Sequence, residues 1–142
     1  DTLIRAVALS NLITIYIKSI LGRLSVLCGA TIAATGASCG ITYIMGGKEK
    51  EIKSTLQNML GNITGMICDG AKAGCALKVA TCTTAAIQST LITLEGNTIK
   101  PTDGIIEENP DETIKNFCNI GNTGMKDADK IILDIMLQKT NK

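Results

Sequence analysis

An all-α fold, a compact bundle of about six helices around a buried Gly/Ala-rich central helix, is the architecture this sequence predicts. Three observations predict it. Apolar residues recur three and four apart along most of the 142 residues, the period of a helix face rather than of a strand. With one Phe, two Tyr and no Trp, the core must be built from Ile, Leu, Met, Ala and Val. Fourteen glycines, together with many alanines, allow helices of such composition to approach closely. The length suits one domain with a sizeable core, so residues 1–142 are expected to form a single helical domain.

The elements follow in order. Residues 2–21 are largely apolar, interrupted by Arg5 and Lys18, and read as the first helix. From Leu24 to Gly47 no charge occurs, a run long enough to span a bilayer. Gly36 and Gly40, at helical spacing, would serve a transmembrane pair or a buried central helix equally well. The scarcity of Leu and Phe, with Ser25, Thr31, Thr35, Ser38 and Thr42 in the run, favours burial in protein, so no membrane is expected.

Lys48-Glu49-Lys50-Glu51 then opens an amphipathic helix whose apolar face is Ile52, Leu56, Met59, Leu60, Ile63 and Ile67, ended at Asp69-Gly70. The next helix runs from about Gly74-Cys75 to Leu94, with Leu77, Ala80, Thr84, Ile87, Leu91 and Leu94 as its recurring stripe. Pro101 and Gly104 punctuate a loop over 96–108. At Asn109-Pro110-Asp111-Glu112 a helix starts: Asn109 can cap, Pro110 suits the first position, and Glu112 completes a capping-box-like spacing. Ile114, Phe117 and Cys118 form its apolar face. The last helix, about Asp127 to Lys139, is expected to bury Ala128, Ile131, Ile132, Ile135 and Met136.

Composition excludes several function classes. Net charge is +1, no basic stripe occurs and stacking surface is scarce, so no nucleic acid is expected as partner. The absence of histidine removes Ser-His-Asp and Cys-His catalysis within the chain, and leaves thiolates as the soft metal ligands. The opening Asp1-Thr2-Leu3-Ile4-Arg5 lacks the features of a signal peptide, so the six cysteines are expected to be reduced in a cytoplasmic setting. The missing initiator Met reads as a piece of a longer polypeptide.

Among the cysteines, Cys68 and Cys75 are the informative pair. The helix pattern puts Cys68 at the end of one helix and Cys75 at the start of the next, joined by a connector with two glycines, Gly70 and Gly74. A helix N-terminus, with Lys72 and Lys78 nearby, favours a thiolate. On spacing alone this metal reading competes with a plainer one, in which both are small buried hydrophobes.

The segment Gly61-Asn62-Ile63-Thr64-Gly65-Met66-Ile67-Cys68-Asp69-Gly70-Ala71-Lys72, followed by Cys75-Ala76-Leu77-Lys78, resembles the signature of the serine dehydratase alpha-chain family, closest to the branch of L-cysteine desulfidases and their uncharacterised relatives. Leu27 to Ser38, Gly104-Ile105-Ile106-Glu107, Gly124-Met125 and Asp134-Ile135-Met136 carry the same likeness, which thus covers nearly the whole chain. The resemblance implies a [4Fe–4S] cluster ligated by Cys28, Cys68 and Cys75, one iron being left without a protein ligand. It implies β-elimination from L-cysteine or L-serine to give pyruvate, ammonia and sulfide or water. Cys39, Cys82 and Cys118 have no ligand counterpart, Cys82 being the nearest substitute. The catalytic residue is unknown: the resemblance implies a base upstream of this chain, in the N-terminal part of the same protein. The expected partners are therefore that part and a small amino-acid substrate, with self-association left open. Without the base the isolated chain is expected to be inactive. The reading of a different class is a helical interaction domain whose cysteines bind nothing.

Overall fold

The computed structural model describes residues 1–140 and is all-α among them. The helices are α1 (Thr2–Leu21), α2 (Gly29–Ile44), α3 (Glu49–Asn62), α4 (Cys75–Leu94), α5 (Pro110–Asn119) and α6 (Lys126–Thr140), with a π-helical turn over Ile120–Gly124 after α5. Most of the predicted elements stand where expected. The capping of α5 is half as predicted: the Asn109 side chain accepts from the Asp111 N–H at 3.0 Å and Pro110 opens the helix. Glu112, however, turns to Lys115 instead of closing a capping box.

α2 is the central helix and packs on α1, α3 and α4. Antiparallel α1 lies against its two glycines. A methyl group at Gly40 would come within 2.8 Å of the Ala6 carbonyl oxygen, and one at Gly36 would strike the Ser10 carbonyl and the Thr14 hydroxyl. The glycines therefore set the close crossing of α1 and α2. The charge-free run is not one long helix: α2 starts only at Gly29, after an extended stretch in which Leu24 is 95% exposed.

Two kinds of interior result. Ile17, Leu21, Leu27, Ile32, Leu56, Leu60, Ile114 and Phe117 form an apolar core between α1, α2, α3 and α5. Between α2, α3 and α4 the seam is polar. Thr42 shares a hydrogen bond of 2.9 Å with Thr55 and donates to Thr90 at 3.1 Å, Thr90 donates to the Ser38 carbonyl at 3.2 Å, and Asn58 donates to Thr93 at 2.9 Å. Each buried side-chain oxygen and nitrogen among the described residues has a partner, so the seam carries no desolvation penalty from unpaired groups.

Three sequence expectations are corrected here. α3 stops at Asn62, so Ile67 and Cys68 lie beyond it; Gly61, Asn62 and Gly65 hold the helix weakly, and the backbone of 66–68 pairs across the chain instead. The inward face of α4 is Cys82, Ala85, Ala86, Ser89, Thr90 and Thr93, while Leu77, Ile87 and Leu91 of the predicted stripe point outward. On α6 Ile131, Ile135 and Met136 are exposed, and only Ala128 and Ile132 are half-buried. α1 likewise turns Leu3, Ile4, Leu12 and Ile15 outward. α1 and α4 are each long and apolar enough to cross a bilayer by length and composition, whereas α2 is not among such helices.

Candidate functional site

The site is built where two segments without helix cross. Gly22, at φ +88°, ends α1 and turns the chain into the stretch that leads to Cys28. There the Cys28 N–H donates to the Met66 carbonyl at 2.9 Å and the Cys68 N–H donates to the Val26 carbonyl at 2.5 Å, around an isolated antiparallel bridge between Leu27 and Ile67. In such a pair, residues two apart share a face and diagonal neighbours stand about 7–8 Å apart. Val26, Cys28, Met66 and Cys68 thus share one face of the crossing, with Cys28 and Cys68 as diagonal neighbours.

Two helices begin at this corner. Cys28 is the N-cap of α2 and Cys75 is the first residue of α4. The helices run parallel, since Thr31 lies 3.9 Å from Cys82 at one end and Thr90 bonds Ser38 further along. Their N-terminal partial charges therefore reinforce each other around Cys28 and Cys75. Neither first turn contains an acidic residue to offset this.

Lys78, one turn into α4, reaches back across the corner. Its ammonium donates to the Ile67 carbonyl at 2.8 Å and to Asp69 Oδ1 at 2.5 Å, while Lys72 pairs with Asp69 Oδ2. These two lysines hold the Asp69 carboxyl well below the usual carboxylate range, the Lys72 hydrogen bond contributing most. Lys78 is itself raised, first by its hydrogen bond to Asp69, with desolvation opposing. Gly70, at φ +92°, makes the turn after Asp69, and the Cys75 thiol donates to the Gly70 carbonyl at 3.6 Å.

Cys28, Cys68 and Cys75 thus share one corner. They do not stand as a closed ligand group: among the described residues no three His, Cys, Asp or Glu side chains form one. The other three thiols lie inside helices. Burial pushes Cys39 up to about 12 and Cys118 up to about 11, and their sulfurs bond the Ile52 and Ile17 carbonyls at 3.9 and 3.8 Å. Cys82 borders the corner, 3.5 Å from the Met66 sulfur, and its thiol is also raised by burial. The pairing of Asp69 with both lysines was not read from the sequence, because Asp69 and Lys72 lie in a loop that only the fold brings against Lys78 of α4. A separate cavity of about 770 Å³ opens at the far end, lined by Leu9, Ile13, Ile52, Leu56 and Ile114 and by none of the corner residues.

The chain is similar to known proteins over nearly its whole length. The family model described as serine dehydratase alpha chain matches residues 1–134. A UPF0597 protein of Bacteroides fragilis is 50% identical over 139 residues, covering 98% of this chain and 32% of the relative. One from Parabacteroides distasonis is 51% identical over 140 residues, covering 99% and 33%, and one from Oleidesulfovibrio alaskensis is 47% identical, covering 98% and 32%. The chain therefore spans about a third of the length of the curated relatives it matches. No solved structure matches.

Proposed function

The chain belongs to the serine dehydratase alpha-chain family, and on that premise we propose that it is the C-terminal, cluster-binding part of a cytoplasmic iron–sulfur lyase that eliminates the β-substituent of L-cysteine or L-serine. Cys28, Cys68 and Cys75 are the ligand set. The observation that supports it is the crossing of 26–28 with 66–68 at the shared N-terminal end of α2 and α4. The donor chemistry fits: the corner offers three thiols and no imidazole, the set suited to an iron–sulfur group. When bound, a [4Fe–4S] cluster with three protein ligands supplies an iron with an open position, a Lewis acid toward a hydroxyl or thiol leaving group.

This chain's own residues provide the anchoring side of the reaction. The helix N-termini and Lys78 supply positive potential for thiolates and for a substrate carboxylate. The proton acceptor is elsewhere. Asp69, the carboxylate at this corner, is tied to two lysines and held ionised far below neutral pH, which makes it a poor base. A base from the remaining two thirds of the polypeptide completes the site. That remainder is also the partner for the outward apolar faces of α1, α4 and α6, where only 11% of the apolar window of α1 is buried.

The test is a lyase assay under anaerobic, iron-loaded conditions. A full-length relative with these cysteines should release pyruvate from L-cysteine or L-serine, and the isolated chain should release none. Absence of pyruvate from both substrates with the iron-loaded full-length protein refutes the lyase reading. Turnover by the isolated chain at a comparable rate refutes the divided site.

A further inference from the structure

We propose that Lys78 is a positioning residue, a clamp that holds the Cys68 loop against the start of α4 so that the three thiols can close on one metal centre. The proposal rests on the reading of Cys28, Cys68 and Cys75 as the ligands. No regular element spans 64–74 apart from the single bridge at Ile67, so something must fix Cys68 relative to Cys75. On one side the backbone pairing with 26–28 does so. On the other side, Lys78 bonds the residues flanking Cys68: the Ile67 carbonyl before it and the Asp69 carboxylate after it.

The same lysine sits one turn beyond Cys75 on α4. It therefore ties the residues on both sides of Cys68 to the helix that Cys75 opens. Lys72, by contrast, bonds only within its own loop, to Asp69, and cannot tie that loop to α4. The clamp contributes little to the fold as a whole. Its partners are solvent-accessible, with 25% of the Lys78 side chain and 39% of the Asp69 side chain exposed, and such ion pairs contribute weakly to global stability. Its effect is local: it removes the freedom the loop would otherwise lose when a metal is bound.

Cobalt(II) is the probe, titrated anaerobically into the reduced chain and followed by thiolate-to-cobalt charge-transfer absorption. The wild-type chain should develop this band, and the C28S/C68S/C75S variant should not. Lys78→Met should weaken cobalt affinity by roughly 10–100-fold, the range for outer-shell partners of metal ligands, and Lys78→Arg should restore most of it. Thermal melts of both metal-free variants should match the wild type. If the wild-type chain gives no thiolate band, or gives it unchanged in the triple variant, the ligand set fails. If the wild type binds through these thiols and K78M binds equally well, the clamp alone is overturned. A K78M melt well below that of the wild type would also overturn it, by making Lys78 a general structural residue.

Discussion

Cys39, Cys82 and Cys118 sit within the helical interior, and Cys28, Cys68 and Cys75 sit where helices begin or segments cross. The same side chain meets two different environments. In the interior, the helix backbone consumes its own donors, neighbours exclude water, and the thiol is left neutral as a small hydrophobe. At the corner, the thiols meet two helix N-termini, a lysine, and a half-exposed loop. On the proposed reading, position relative to helix ends, rather than cysteine content, separates the sulfur that only packs from the sulfur that binds.

The sharpest way to break this contrast is alkylation of the native, metal-free chain at pH 8. With pKa values of about 12 and 11, Cys39 and Cys118 are thiolate at only on the order of one part in ten thousand and one in a thousand. Cys68 and Cys75, half-buried at the corner, should be modified by iodoacetamide first, and Cys39 and Cys118 only after unfolding, as read by peptide mass spectrometry. Equal labelling of all four in the folded chain would erase the distinction.

A smaller effect compares packing at the two places. Gly40→Ala drives a methyl group into the Ala6 carbonyl, so it should destabilise the chain by about 1–3 kcal/mol in chemical denaturation. Gly65→Ala, in the loop leading to Cys68, meets nothing within 4 Å and should stay within about 0.5 kcal/mol of the wild type. A larger loss from G65A than from G40A would place the rigidity at the corner instead of the α1–α2 crossing.

The sequence disclosed the helices better than their faces. Residues 2–21, the start at Cys75 and the Asn109-Pro110 cap were legible because composition, breakers and capping chemistry act locally. Periodicity alone could not tell which side of α4 faces inward. Its Leu and Ile stripe is the outer one, and the seam toward α2 is built from Ala, Ser and Thr whose hydroxyls find partners only once α2 and α3 are in place. The outward faces of α1 and α6 carry the same lesson, for a chain a third the length of its relatives. At the corner, the identity of the three thiols came from family likeness. The meeting of Cys28 with Cys68 follows from a strand-like crossing that no run of residues announced, since each half pairs with a partner about forty positions away.

The measurement that bears most directly on the account is the iron bound per chain after anaerobic reconstitution with iron and sulfide. The wild-type chain should hold roughly four irons with broad visible charge-transfer absorption. The C28S/C68S/C75S variant should lose that iron, and the C39A/C118A variant should keep it. Iron content unchanged by replacing the three corner cysteines would contradict the assignment on which the proposed function stands.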